Sequence, residues 1–159
     1  SLAGVQFGDQ IDTLLASMGA EAHHALAGVF DGADPDTRHR ILRIFGHQPG
    51  KEALGVLKQA IVDPALTQTA GDALRGAAEE LPEAGRKGLG QDLVKILGDK
   101  KAEHDPEVEA EMLGCIGAID GHAHRAVLAR NGTRIRTSIR TLLRSWGMSP
   151  TGARRVLRR

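Results

Sequence analysis

The sequence predicts an all-α fold, a solenoid of about five antiparallel helix pairs. Its apolar content of 41% is mostly aliphatic, with no Tyr, one Trp and three Phe. Small aliphatic side chains favour close helix-on-helix packing over a strand-rich sandwich, which normally recruits aromatic and β-branched residues. The two other observations are three Asp-Pro pairs that each mark a helix start, and apolar residues that recur at matched distances behind them.

The Asp-Pro pairs are Asp34-Pro35, Asp63-Pro64 and Asp105-Pro106. An Asp carboxylate accepts hydrogen bonds from the open amides of a first helical turn, and Pro at the first helical position loses no hydrogen bond. Each pair is therefore predicted to open a helix. The spacings of 29 and 42 residues bracket the period of helix-pair repeats.

Apolar residues at the same offsets behind each pair predict one shared inward face. Seven, ten and eleven residues after each Asp stand Ile41, Ala70 and Met112, then Ile44, Ala73 and Cys115, then Phe45, Leu74 and Ile116. A second apolar-periodic segment follows each of these helices, with Leu54, Leu57 and Ile61, then Leu89, Leu93, Ile96 and Leu97, then Val127 and Leu128. The repeating unit is thus predicted to be a helical hairpin.

At this point the chain resembles the HEAT-repeat family of armadillo-like α-solenoids, whose units commonly begin with an Asp-Pro. The resemblance covers roughly residues 34–130 and implies a stack of helix pairs used to hold another macromolecule. We predict one HEAT-like domain over 1–159, with an N-terminal capping hairpin at 1–33, central repeats at 34–130 and basic C-terminal helices at 131–159. The capping hairpin depends on Ala22, Leu26, Val29 and Phe30 in its second helix.

Charge is divided unevenly along the chain. Residues 1–124 hold eleven Lys and Arg against all twenty Asp and Glu, a net charge of −9, whereas residues 125–159 hold ten Arg and no acid. Arginine offers the bidentate donors that carboxylates and phosphates accept. The predicted partner-binding residues are Arg134, Arg136, Arg140, Arg144, Arg154, Arg155, Arg158 and Arg159.

An acidic protein surface is the partner we predict for these arginines, including the option that they dock on the acidic part of the same chain. Nucleic acid is the alternative, although no recognised binding motif accompanies the charge and Trp146 falls in an apolar stripe. Anionic lipid is the least favoured partner, and the sequence leaves the oligomeric state open.

Enzymatic chemistry finds little support in the residue pattern. A zinc site at His122 and His124, completed by Cys115 or Glu111 and close to His104, would require several ligands to converge, and no His-Glu dipeptide of the metal-dependent HEAT-like hydroxylases occurs. The lone thiol of Cys115 is predicted to be buried. We assign no catalytic residue, no metal and no cofactor.

The sequence therefore predicts a non-enzymatic scaffold or adaptor that binds a macromolecule. No apolar run approaches the ~20 residues of a membrane-spanning helix, and a single cysteine fits a reducing compartment. A cytoplasmic location is expected on these grounds.

Overall fold

The computed structural model describes residues 19–99, 103–145 and 147. Within these ranges it contains helices and no strand, which confirms the all-α prediction. The helices are α1 (Ala20–Phe30), α2 (Pro35–His47), α3 (Lys51–Ala60), α4 (Thr67–Glu80), α5 (Glu83–Leu97), α6 (Pro106–Ile119) and α7 (Gly121–Ser145).

Two of the three Asp-Pro pairs open helices as predicted. Asp34 is the N-cap of α2, and its carboxylate accepts from the Thr37 backbone N–H at 3.1 Å and from the Thr37 hydroxyl at 2.6 Å. These hydrogen bonds hold the pKa of Asp34 below its usual value of 3.8, and the bond from the Thr37 hydroxyl has the larger effect. Asp105 caps α6 in the same way and accepts from the Glu107 N–H at 2.9 Å.

The helix start predicted at the remaining pair, Asp63-Pro64, is wrong, because α4 begins at Thr67 and not at Pro64. The Asp63 carboxylate accepts from the Ala65 N–H at 2.9 Å, and the Asp63 carbonyl accepts from the Leu66 N–H at 3.0 Å. Asp63 and Pro64 thus close a turn of their own before the helix starts. Local side-chain to backbone bonding of this kind competes with helix propagation.

The inward face predicted from the matched offsets is confirmed in all three helices. Each of the nine residues is buried: Ile41, Ile44, Phe45, Ala70, Ala73, Leu74, Met112, Cys115 and Ile116. The displaced start of α4 does not disturb this face, because a helical face depends on spacing within the helix and not on where the helix begins.

The chain divides into two compact units, Ser1–Arg86 and Lys87–Arg159. In the first unit α1 packs on α2 and α3, and α4 packs on α2 and α3. The crossing of α2 and α4 is close at Gly46, where an added Cβ would lie only 2.8 Å from the Ala73 Cα. Gly46 therefore sets how near these two helices approach.

In the second unit α6 packs on α7, and the C-terminal part of α5 lies against the turn between them. An added Cβ at Gly90 would lie 3.0 Å from the Asp120 Cβ. The loop that precedes α6 is tied to α5 by His104, whose Nε2 donates to the Ile96 carbonyl at 3.0 Å.

Three details differ from the sequence-based expectations. Val29, expected on the apolar side of α1, is 56% exposed, and Leu128 is 36% exposed. The boundary expected between residues 130 and 131 falls inside α7, which runs without a break because neither a Pro nor a cap separates its two parts. That 1–159 forms one domain stays a prediction, and the first helix of the expected capping hairpin lies outside the described residues.

Candidate binding surface

The helix that carries the predicted binding residues, α7, begins directly after Asp120, which also ends α6. The Asp120 N–H donates to the Ile116 carbonyl at 2.8 Å and so closes α6, while its carboxylate accepts from the His122 and Ala123 N–H groups at 3.0 and 3.1 Å. One residue thus ends α6 and caps α7. This fixes the direction in which α7 leaves the rest of the second unit.

Arg136, Arg140 and Arg144 are all exposed on α7. Because they are four residues apart, they form one row, with successive Cα atoms ~6 Å apart along the helix axis. Arg125 and Arg130 are exposed on the same helix. The side chain of Arg134 and the whole of Arg154, Arg155, Arg158 and Arg159 lie outside the described residues.

The charge of this row is not compensated locally. The chain has no Asp or Glu after Asp120, and none of the five exposed arginines of α7 forms an ion pair with a described residue of its own unit. Like charges four residues apart on a helix destabilise it by about 0.2–0.5 kcal/mol per pair. An acidic partner would relieve this repulsion.

A groove lies between α5 and α7 in the second unit, and its lining on α7 ends at Arg130, before the row begins. Its volume is about 840 Å³, inside the roughly 300–1,000 Å³ range of ligand pockets. Aliphatic groups of Val94, Ala123, Ala126 and Val127 line it, with the polar side chains of Gln91, Lys95, Asp120, His122 and Arg130 around them. Sequence reasoning missed this groove, because its walls come from helices that only the fold brings together.

The histidines suggested for a metal have different surroundings. His122 is exposed at the groove, whereas His124 is half-buried against Gly117, where an added Cβ would lie 3.4 Å from the His124 Cδ2. Across the described ranges, no three His, Cys, Asp or Glu side chains form a group able to hold a metal ion. His104 is engaged with Ile96.

Cys115 is fully buried, as predicted, with its Sγ 3.9 Å from the Glu111 Oε1. A buried thiol on the inward face of a helix packs as a small apolar group and is shielded from external reagents. It lies apart from the exposed row on α7.

His23 and His24 point in different directions, as expected of adjacent residues on a helix. His23 is buried edge-on against Phe45, with ring centroids 5.4 Å apart. The exposed His24 places its Nδ1 3.1 Å from a carboxylate oxygen of Glu52, on α3. Both histidines therefore have roles within the first unit.

A smaller cavity of about 230 Å³ lies between α2 and α4. Arg43, His47 and Thr69 line it together with Asp72, whose carboxylate accepts from Arg75 at 2.9 Å. Its volume is below the usual range for ligand pockets, and both basic and acidic side chains line it. The α7 row with its groove is the stronger candidate.

Comparison with known proteins adds no relative: no protein-family model, no curated protein and no solved structure matches the chain. None of the helices in the described part of the chain combines the length and the apolar composition needed to cross a bilayer.

Proposed function

We propose that the protein is a non-enzymatic binding module, a HEAT-like stack of helix pairs that holds an acidic protein partner. The observation that carries the proposal is the exposed, acid-free row of Arg136, Arg140 and Arg144 on α7. Guanidinium groups form bidentate, charge-assisted hydrogen bonds with carboxylates. Three of them in register match a partner segment with several Asp or Glu.

Two features of the first unit support the scaffold part of the proposal. The first helices of two successive predicted repeats, α2 and α4, pack on each other, and both also pack on α3. Stacked helix pairs of this kind bury their apolar faces on neighbours and leave a long outer surface free. Such surfaces serve binding more readily than catalysis.

The test is binding of defined probes at physiological salt. We would measure the affinity for a fluorescent 16-residue glutamate-rich peptide, for an uncharged peptide of the same length and for a 16-nucleotide single-stranded DNA. An exposed ion pair contributes about 0.5 kcal/mol to binding. Replacing Arg136, Arg140 and Arg144 together by Gln is therefore expected to lower the affinity for the acidic peptide about tenfold.

The matched control replaces three exposed arginines outside α7, Arg40, Arg43 and Arg86, by Gln. It removes the same charge and is expected to leave the affinity for the acidic peptide within about twofold. Equal weakening by both triple variants would refute the role of α7. Tighter binding of the DNA than of the peptide would replace the proposal by the nucleic-acid alternative, provided that the slope of log affinity against log salt concentration becomes shallower by about 2 in the α7 variant.

A further inference from the structure

The groove between α5 and α7 and two arginines of the row, Arg140 and Arg144, belong to one face of α7. Ala126 and Arg130 line the groove, and positions 126, 130, 133, 137, 140 and 144 follow one another at steps of three or four residues. Residues at such steps share one face of a helix. The face runs for ~27 Å, from the groove at Ala126 to the exposed guanidinium of Arg144.

The chemistry changes along this face. At its N-terminal end the groove offers aliphatic surface from the half-buried Val94 and the exposed Ala126, and the buried Val127 is also part of its lining. Beyond Arg130 the described side chains of the face, Thr137, Arg140 and Arg144, are polar or cationic. A ligand that covers the whole face must therefore be apolar at one end and anionic over the rest.

The charges at the groove itself are also mainly positive. Lys95 and Arg130 are exposed there. The one acidic side chain that lines the groove within the described residues, Asp120, is engaged as the N-cap of α7 through its Oδ1. Lys95 lies 3.9 Å from the Asp92 carboxylate, at the limit of an ion pair. The rim thus favours a partner that brings carboxylates next to its apolar group.

We infer that the α5–α7 groove receives the aliphatic anchor of an acidic amphipathic protein segment whose carboxylates continue along Arg140 and Arg144. This inference rests on the proposed function and names the kind of segment that the module binds. Nucleic acid would supply the anionic part but no aliphatic group for Val94 and Val127. Residues 148–159 of the chain carry four Arg and no acid, so their charge has the same sign as that of the rim and disfavours them as the occupant.

The experiment is a double-mutant cycle between protein and peptide. Two peptides of equal length and charge are compared, one with two Leu in a helical glutamate-rich sequence and one with both Leu replaced by Gln. Ala126→Gln places a longer neutral side chain in the groove while keeping a good helix former. We expect this substitution to lower the affinity for the Leu peptide at least fivefold and the affinity for the Gln peptide less than twofold.

Ala129→Gln is the matched control, since Ala129 is exposed on α7 and does not line the groove. It should leave both affinities unchanged, and circular dichroism should show equal helix content in both variants. Methyl NMR gives an independent readout: the signals of Val94 and Val127 are expected to shift with the Leu peptide and to stay in place with the Gln peptide or with single-stranded DNA.

The outcomes separate the two proposals. If Arg140→Gln and Arg144→Gln lower the affinity for both peptides equally while Ala126→Gln changes neither affinity, the groove inference is wrong and the proposed function stands. If neither acidic peptide binds better than an uncharged peptide, both are overturned. Concentration-dependent self-association that Ala126→Gln abolishes would identify a second copy as the occupant and would also overturn the inference.

Discussion

At the scale of single residues, the Asp34 cap shows how one carboxylate links the sequence to a helix start. The hydrogen bonds from Thr37 lower its pKa from the usual value of 3.8. The folded state therefore binds a proton at Asp34 more weakly than the unfolded state does. Its stabilising contribution is complete above pH 3.8 and is lost as the pH falls through the lowered pKa.

We predict that the stability advantage of the native protein over Asp34→Asn is constant from about pH 5 to 8 and shrinks on acidification below about pH 4. Urea unfolding followed by circular dichroism at several pH values measures it. Asp36→Asn, an exposed neighbour in the first turn of α2, is the control and should keep the native pH profile. A difference between native protein and Asp34→Asn that is independent of pH down to pH 3 would contradict the prediction.

The surroundings of His23 could not be predicted from its position in the sequence. The sequence placed two adjacent histidines on α1, but only the fold decides that His23 packs on Phe45 while His24 lies at the surface beside Glu52. Among the described residues, the buried Nε2 of His23 has no hydrogen-bond partner. Such an atom normally costs stability, and no local pattern in the sequence signals it.

At the scale of helices, the crossing of α2 and α4 depends on the absence of a side chain at Gly46. A Cβ there would approach the Ala73 Cα to 2.8 Å and the Ala73 carbonyl oxygen to 3.1 Å. These atoms belong to the core and to the backbone, so the helices would have to move apart. Overpacking of a well-packed interior costs about 1–3 kcal/mol.

Gly46→Ala is therefore expected to lower the free energy of unfolding by about 1–3 kcal/mol, as measured by urea denaturation. The matched variant is Gly55→Ala in the interior of α3, where an added Cβ meets nothing within 4 Å. It should raise stability by about 0.5–1 kcal/mol, because Ala is the better helix former. Equal effects of the two substitutions would show that the close approach at Gly46 is not limiting.

Helix boundaries were the least predictable element property. Asp34 and Asp105 cap helices, whereas Asp63 closes a turn four residues before α4. The same dipeptide permits both outcomes, since an Asp carboxylate bonds equally well to nearby amides in a turn. The buried positions were more secure, because nine residues in three helices share one periodic pattern.

At the scale of the whole molecule, a net charge of +1 conceals a strong separation of charge. The sequence pI of about 8.0 gives no hint of it. The ten arginines after residue 124 meet no acid in the same stretch, so their field is compensated only by groups elsewhere. A concentrated patch of one sign governs adsorption to charged surfaces more than net charge does.

We predict that Arg136→Gln, Arg140→Gln and Arg144→Gln together shift elution from a cation exchanger to lower salt than Arg40→Gln, Arg43→Gln and Arg86→Gln do. Both triple variants have the same net charge, so only the distribution of charge differs between them. The sodium chloride concentration at elution is the measurement. Elution of both variants at the same salt concentration would mean that the row on α7 is not a distinct patch.

The sequence by itself determined the all-α class, the buried faces of α2, α4 and α6 and the position of Arg136, Arg140 and Arg144 on one helix. These properties follow from local spacing, since the period of a helix fixes which residues share a face. Only the tertiary structure decided that α5 and α7 line an open groove, that Gly46 sets the α2–α4 crossing and that His122, His124 and Cys115, all among the described residues, are not grouped together. Each of these depends on contacts between residues far apart in the chain, whose energies a local pattern does not encode.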